Sequence, residues 1–308
     1  GTSTSHSPSL GLQCADLKDS PLFYFGDSGD LTLWGCPPIG WPIFFGVRKF
    51  YSELASITRA MLPFIPLIAL LAAVLPPLAE RYGGRNACAW ATALVTVLAL
   101  AALLGLAPAV FSSAVQRAGW EWLPELGLNL SFRLDGLGLL FGLLITGIGL
   151  LIILYTRYYL SEHDNLGRFY SFLLLFMGAM LGIVLADNLL LLLMFWELTS
   201  LGSFLLIGYW HPRADARRGA RLALTVTAGG GLALLGGFLL LGHIVGSFEL
   251  SAVLAAGDTV KQHPSYLATL LLILLGVFAK SAQFPLHFWL PQAMAAPTPV
   301  SAYLHSAT

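Results

Sequence analysis

The chain has 308 residues, of which 57% are apolar and only 10% are charged. Soluble globular proteins carry about 25% charged residues, so this composition predicts a protein that is solvated largely by lipid. The 16 basic and 16 acidic residues give a net charge of zero. That balance argues against a nucleic-acid-binding protein, which needs a strongly basic surface.

The three cysteines, Cys14, Cys36 and Cys88, stand far apart in the sequence and form no Cys-x-x-Cys pair. This spacing predicts neither a disulfide framework nor a zinc or haem site. Glycine-rich nucleotide-binding motifs are also missing from the sequence, so we expect no nucleotide chemistry. The sequence therefore predicts a protein without a cofactor or a bound metal.

Seven apolar stretches have about the 20 residues that a helix needs to cross a bilayer. They cover residues 61–79, 87–111, 135–157, 169–186, 188–210, 220–246 and 266–283. Four prolines between residues 285 and 299 follow the seventh stretch and predict a broken helix around residues 266–297. An eighth span starts near Val300, so the chain ends inside it and is expected to be a fragment.

Residues 120–134 alternate between apolar and polar side chains, which is the period of a β-strand. We predict a short β-hairpin there, covering one end of the bundle. Asp187 and Asn188 leave room only for a tight turn between the fourth and fifth stretches. The predicted fold is an all-α, polytopic integral membrane bundle with about seven spans, the start of an eighth, and one hairpin.

The arginines in the short loops predict how the bundle is oriented, because cytoplasmic loops carry an excess of Lys and Arg. Eight arginines fall at one predicted end, and Arg117, Arg133 and Lys261 fall at the other. The eight are Arg81, Arg85, Arg157, Arg168, Arg213, Arg217, Arg218 and Arg221. We therefore predict that the end with eight arginines is cytoplasmic and that the hairpin is outside.

Glu197 and Lys280 are the charged residues that lie deep inside predicted spans. A charge at the bilayer centre costs about 2.5 to 3.5 kcal/mol on insertion scales, so each needs a partner or a function. Glu197 is predicted to lie near the midplane, beside Thr199 and Ser200, which can offer hydroxyl groups. It could exchange protons, or it could be a protonated carboxyl that only holds two helices together.

Lys280 lies 14 residues into its apolar stretch, too deep for its ammonium group to reach either surface. It precedes Pro285 and Pro291, and transporters place such helix breaks around hydrated cavities at the midplane. One interpretation is a proton-carrying lysine that a carboxylate controls; the other is a static Glu197–Lys280 ion pair. His305, 25 residues further on, could pass a proton onward near neutral pH, although a lone histidine is more often a packing residue.

Two segments carry a family resemblance: MFWELTSLGSFLLIGYW, with Glu197, and FAKSAQFPLHFWLPQAMAAPTPVSAYLHSAT, with Lys280 and His305. They resemble the proton-translocating antiporter-like membrane subunits, which include those of Mrp-type Na⁺/H⁺ antiporters and of the membrane arm of respiratory complex I. The hairpin segment LNLSFRLDGLGLLFGLLITGIG is similar too. The chain resembles the large A-type subunit of Mrp antiporters more than the complex I subunits, which often carry an acidic residue in their sixth span.

This resemblance implies two inverted five-helix repeats with a broken helix in each, of which this chain would hold only the first. It matches Glu197 to the family's key carboxylate, Lys280 to its central lysine and His305 to its relay histidine. The chain then divides into residues 1–60, an extension that is either native or not; residues 61–134, with two spans and the hairpin; and residues 135–308, a truncated proton-translocating module.

The function expected from the resemblance is that of a non-enzymatic part of a bacterial cell-membrane antiporter. It would exchange Na⁺ or another monovalent cation for protons, together with other membrane subunits. One alternative is a proton-pumping subunit of complex I or a membrane-bound hydrogenase, which would make it part of a translocating enzyme. The second alternative is a seven-helix membrane protein that transports nothing.

Overall fold

The structure is a computed structural model that describes residues 61–112 and 115–307. Within these ranges the chain is a helical bundle with one two-stranded antiparallel sheet. Five helical segments are long and apolar enough to cross a membrane. The predicted all-α membrane bundle with a single hairpin is therefore confirmed, whereas the expectation for residues 1–60 lies outside the described residues.

The first membrane segment is longer than either of the two stretches predicted there. It runs over 48 residues through α1 (Phe64–Leu71), a 3₁₀ turn (Ala72–Val74) and α2 (Leu75–Phe111). Gly84 interrupts α2 with φ 71° and ψ −170°, a conformation that glycine adopts without steric cost. This break lies between residues 61–79 and 87–111, so each predicted stretch corresponds to the helix on one side of it.

The hairpin consists of β1 (Gln116–Leu123) and β2 (Leu128–Leu134), joined by a 3₁₀ turn (Pro124–Leu126). Trp120 pairs with Leu130 in the antiparallel register. Gly127 closes the turn with φ 67°, where an L side chain would be strained. The predicted hairpin around residues 120–134 is confirmed, and β1 starts slightly earlier than expected.

Three central helices follow: α3 (Gly136–Tyr159), α4 (Leu166–Leu185) and α5 (Leu189–Ile207). Each begins at a polar side chain that accepts backbone N–H groups: Asp135 for α3, Asn165 for α4 and Asn188 for α5. Such caps satisfy donors that a helix start leaves free. The helix α4 is buried along most of its length and forms the centre of the core. The predicted tight turn at Asp187 and Asn188 is confirmed.

The second half of the bundle begins with the long helix α6 (Ala214–Val245), followed by the short helices α7 (Leu250–Ala255) and α8 (Gly257–Gln262). Next comes α9 (Tyr266–Lys280), which packs against α6 through close contacts at Gly230 and Gly276. The chain then runs through a 3₁₀ turn (Leu286–Phe288), α10 (Trp289–Ala293) and α11 (Thr298–Ala307). The helix predicted to break around residues 266–297 does so directly after Lys280.

One end of the bundle, here called the hairpin end, is held by polar side chains from three separate segments. The Asp187 N–H donates to the Ser131 carbonyl at 2.9 Å. The Glu249 carboxylate accepts hydrogen bonds from Asn129 Nδ2 (3.1 Å), Asn188 Nδ2 (3.0 Å) and Ser131 Oγ (2.7 Å). The hairpin, the tight turn and the segment after α6 therefore share one end, as predicted.

The opposite end, here called the arginine end, collects the other loops. Arg85 donates to the carbonyls of Leu160 and Ser161, each at 2.9 Å. Arg168 donates to the Tyr209 carbonyl at 2.9 Å. The two loop groups predicted from the arginine distribution are thus confirmed as two ends of the bundle. That the arginine end is cytoplasmic stays a prediction.

Candidate functional site

Lys280 is the last residue of α9, at the point where this helix ends. Its Nζ donates to Ser200 Oγ at 2.8 Å and to the Trp196 carbonyl at 3.4 Å, both on α5. Nζ also lies 5.5 Å from the centre of the Trp196 ring, within the range of a cation–π contact. The contacts of the ammonium group described here are therefore made with neutral groups.

The α-helical spacing of α5 places the groups that contact Lys280 next to each other. Trp196 and Ser200 are four residues apart, so they lie on the same face of the helix. The Trp196 carbonyl also accepts a hydrogen bond from Thr199 Oγ1 at 2.7 Å. Lys280 thus faces a short polar strip of α5 in an otherwise apolar bundle. The hydroxyl of Ser200, which from the sequence could serve a carboxylate or a water molecule, accepts a hydrogen bond from the ammonium.

Glu197 follows Trp196 on α5 and its side chain lies against α6. A Cβ at Gly231 would overlap its Oε1, so only glycine leaves room for this carboxyl group. The same Oε1 is buried and has no hydrogen-bond partner among the residues that the structure describes. The carboxyl group of Glu197 is therefore positioned by steric contact with α6, and no described hydrogen-bond donor holds its Oε1.

The direct Glu197–Lys280 ion pair considered from the sequence is not present. Among the described residues, no oxygen of Glu197 lies within 4.0 Å of Lys280 Nζ. The two charges are still close enough to interact electrostatically. The bundle thus brings the predicted pair together as neighbours, without the contact that a static lock between two helices requires.

Two cavities meet at Lys280. The first, of about 190 Å³, lies towards α11 and includes Thr227, Ser203 and His305 in its wall. The second, of about 260 Å³, lies towards α3 and α4 and includes Trp196 and Thr199. Lys280 lines both cavities, whereas Glu197 lines neither of them. The ammonium is therefore placed between two spaces that could hold water.

His305 lies on α11 and shares the first cavity with Lys280. Its side chain is exposed in the described part of the chain. The structure places the hydroxyl-bearing residues Ser203 and Thr227 in the same wall as these two ionisable groups. Lys280 therefore shares a cavity with His305 and interacts electrostatically with Glu197, which does not line that cavity.

Sequence reasoning missed several groups of this site. Thr227 and Ser203 carry no pattern that sets them apart from other hydroxyl residues in apolar helices. Trp289 was also missed, although it lies in the predicted broken helix; its Nε1 donates to the Ala279 carbonyl at 3.0 Å. Within the described ranges, no group of three His, Cys, Asp or Glu side chains is arranged to hold a metal ion.

Comparison with protein families gives two matches. Residues 186–308, which include all three predicted site residues, match the family described as "NADH:quinone oxidoreductase/Mrp antiporter, TM". Residues 120–170 match the family described as "NADH-Ubiquinone oxidoreductase (complex I), chain 5 N-terminus". The matched regions cover the hairpin, α3 and the bundle from the tight turn onward.

Curated relatives agree with these matches. The A/B-type subunit of a probable K⁺/H⁺ antiporter from Rhizobium meliloti (strain 1021) is 52% identical over 256 residues, which are 83% of this chain and 25% of the relative. The A1-type subunit of an Na⁺/H⁺ antiporter from Staphylococcus aureus is 45% identical over 249 residues, which are 81% of this chain and 31% of the relative. The chain thus spans between a quarter and a third of the length of these relatives.

A solved structure shows the same fold. A chain in the structure of the Mrp complex from Dietzia sp. DQ12-45-1b superposes with a TM-score of 0.69 and 37% sequence identity. The match covers 80% of this chain and 26% of that one. Sequence and structure comparisons therefore point to the same group of membrane proteins.

Proposed function

Because this chain belongs to the antiporter-like membrane subunits of the Mrp A type, we propose that it acts in a monovalent cation/proton antiporter. It is a multi-pass cell-membrane protein, and its proposed role is to transport ions and not to act as an enzyme. In this proposal Lys280 carries the proton, Glu197 adjusts the charge around it, and His305 passes the proton onward.

The observation that carries the proposal is the position of Lys280 between two cavities, with neutral contacts only. A carboxylate in a direct ion pair would stabilise the charged ammonium group and so oppose the release of its proton. Here the contacts are a hydroxyl, a carbonyl and an aromatic face, each of which can also face a neutral amine. Lys280 can therefore change its charge without leaving a carboxylate unpaired next to it.

Glu197 supports this role by acting at a distance. Its charge reaches Lys280 through a medium that screens poorly, since the interior of a protein has a lower effective dielectric constant than water. Because no described residue donates a hydrogen bond to Oε1, the carboxyl can change its protonation without breaking a hydrogen bond there. A change at Glu197 would then alter how strongly Lys280 holds its proton.

His305 supports the onward step. It shares a cavity of about 190 Å³ with Lys280, which is large enough for several water molecules. An imidazole can accept a proton on one nitrogen and release one from the other near neutral pH. We therefore propose a proton path from Lys280 through this cavity to His305, with water molecules between them.

The cation and the partners of the proposed antiporter follow from the relatives. One is named as part of a K⁺/H⁺ antiporter and the other as part of an Na⁺/H⁺ antiporter, so Na⁺ and K⁺ are both proposed substrates. The structural relative was solved as a complex, and we propose that this chain also works with other membrane subunits. A membrane potential of 100 mV supplies about 2.3 kcal/mol for each net charge that crosses the membrane, which is the energy open to an exchange that moves net charge.

The proposal is tested by substituting Lys280 in the assembled antiporter and measuring cation-dependent proton flux in vesicles, with Na⁺ and K⁺ in separate runs. We expect Lys280→Ala to lower the flux at least about 100-fold, because the barrier rises by about 2.7 kcal/mol or more when the proton carrier is lost. Glu197→Ala should lower it less, since the carrier itself remains. Lys261→Ala, an exposed lysine on α8, is the matched control. Unchanged flux in a well-expressed Lys280→Ala complex would contradict the proposal.

A second candidate function is a proton-pumping subunit driven by quinone reduction. It is favoured by the match of residues 120–170 to a complex I family. The two candidates differ in their driving force and not in the residues that move protons. Exchange of a cation for protons in purified vesicles, driven only by an imposed pH gradient, supports the antiporter; proton movement that requires NADH and quinone supports the pump.

A further inference from the structure

A groove at the arginine end lies away from the proposed proton path. It has a volume of about 370 Å³ and lies between the start of α4, the end of α5 and the start of α6. Phe172, Phe204, Leu205 and Ala220 form its apolar wall. Arg168, Arg217, Arg221 and His211 form its polar side. We call it the basic groove.

The cationic groups of the basic groove differ in how firmly they are already bound. Arg168 is occupied, because it donates to the Tyr209 carbonyl and lies 5.0 Å from the centre of the Tyr209 ring. Arg217 donates to the carbonyls of His211 and Pro212 and remains exposed. Arg221 donates to the carbonyl of Arg217 and is also exposed. Arg217 and Arg221 therefore present two positive charges one helical turn apart.

The acidic residues near the groove have partners of their own. Glu80 accepts hydrogen bonds from the N–H groups of Leu166 and Gly167. Asp215 is paired with Arg213, and Asp164 accepts hydrogen bonds from Ser161 and from the Trp210 indole. No acidic residue lines the groove, and among the described residues no ion pair involves Arg168, Arg217 or Arg221. In the described part of the chain, Arg217 and Arg221 therefore have no acidic partner at the groove.

We propose that the basic groove binds an anionic phospholipid. The phosphate would lie between Arg217, Arg221 and His211, and one acyl chain would lie along Phe172, Phe204 and Leu205. Basic pockets between membrane helices bind lipid headgroups through this combination of charge and apolar surface. Trp210, the neighbour of the groove residue Tyr209, is half-buried, and tryptophan is typical of the boundary between lipid and water. A free phosphate would match the arginines but would leave the apolar wall empty.

The test is native mass spectrometry of the detergent-purified full chain, alone and in its assembled complex, titrated with phosphatidylglycerol or with phosphatidylcholine. We expect a clear preference for phosphatidylglycerol. Each arginine near an anionic headgroup is worth about a fivefold change in affinity, so Arg217→Gln with Arg221→Gln should weaken binding about 25-fold. Arg218→Gln is the matched control, because this exposed arginine on the same turn does not line the groove.

A second variant separates a lipid from a free anion. Leu205→Trp fills the apolar wall and leaves the arginines in place, so it should weaken phosphatidylglycerol binding without changing the binding of glycerol phosphate. Melting temperatures of all variants in the same detergent show whether each one is folded. The proposal is overturned if the double arginine variant keeps the lipid, if Arg218→Gln loses as much, or if Leu205→Trp has no effect while glycerol phosphate competes fully.

Discussion

Two half-buried glutamates of this bundle have opposite surroundings. Glu249, at the hairpin end, accepts hydrogen bonds on both carboxylate oxygens, from Asn129, Asn188 and Ser131. Glu197, in the middle of α5, has an Oε1 that is buried without a partner and is enclosed by Gly231. The first carboxylate connects three segments that are far apart in sequence, whereas the second connects nothing.

This difference distinguishes a carboxylate that stabilises the fold from one that can take part in transport. A carboxylate with three donors is held in one orientation, so removing it leaves several groups unpaired. A carboxylate without a described donor on Oε1 can change its protonation without breaking a hydrogen bond there. The contrast therefore predicts that Glu249 matters for stability and Glu197 matters for transport.

The largest effect is expected for stability at the hairpin end. Glu249→Ala leaves the half-buried Asn129 Nδ2 and Ser131 Oγ without their acceptor, and each lost hydrogen bond to a carboxylate costs about 1.5 kcal/mol. We expect the free energy of unfolding to fall by about 3 kcal/mol, measured as a lower melting temperature in detergent. Glu125→Ala, an exposed residue of the hairpin turn, should leave it unchanged. Equal melting temperatures for the two variants would break the comparison.

The next effect separates transport from stability at Glu197. Gly231→Ala places a Cβ where Oε1 of Glu197 now lies, so the carboxyl must rotate away from its site. Because the displaced group is the end of a flexible side chain, and because alanine favours a helix by about 1 kcal/mol over glycine, the bundle should keep its stability. We expect cation-dependent proton flux to fall about tenfold, which corresponds to about 1.4 kcal/mol.

Gly229 provides the control for this substitution. It lies two residues away on the same helix, and a Cβ there would meet open space. Gly229→Ala should therefore keep both the flux and the melting temperature. If Gly231→Ala has full activity, the position of the Glu197 carboxyl does not control the proton path.

The smallest effect is expected at the hydroxyl that holds the ammonium. Ser200→Ala removes the 2.8 Å hydrogen bond from Lys280 Nζ but leaves the Trp196 carbonyl and ring. We expect the flux to fall threefold to fivefold. This corresponds to about 1 kcal/mol, which is typical of one hydrogen bond. Thr225→Ala on α6, whose hydroxyl bonds only its own helix, serves for comparison. A loss as large as that of Lys280→Ala would mean that Ser200 itself takes part in proton transfer.

Much of the architecture could be predicted because it depends on local patterns. Apolar length marked the spans, alternation marked the hairpin, and the prolines after Lys280 marked the broken helix. The sequence also singled out the isolated acid and the isolated base, since charges are costly in lipid; the structure makes them neighbours without an ion pair. These features are encoded within a few neighbouring residues, so a single sequence is enough to find them.

The remaining features depend on pairs of residues that are far apart in the chain. Asn129 and Glu249 are separated by 120 positions, and no periodicity links them. For the same reason the sequence suggested a Glu197–Lys280 contact but not that Ser200 and Trp196 would hold the ammonium instead. The basic groove could not be predicted either. The sequence analysis used its arginines only to orient the bundle in the membrane. Their proximity to Phe172 and Leu205 depends on how the helices pack.

The indole of Trp289 has a consequence for the geometry of the broken helix. A helix end leaves its last carbonyls without partners within the helix. Here the indole N–H of Trp289, on α10, donates a hydrogen bond to the carbonyl of Ala279, the residue before Lys280. The two halves on either side of the interruption are thereby tied together by a bond that does not follow the backbone. A displacement of α10 along the bundle would therefore move Ala279, the residue before Lys280. The position of the Lys280 amine in the bundle thus depends on α10 as well as on α9.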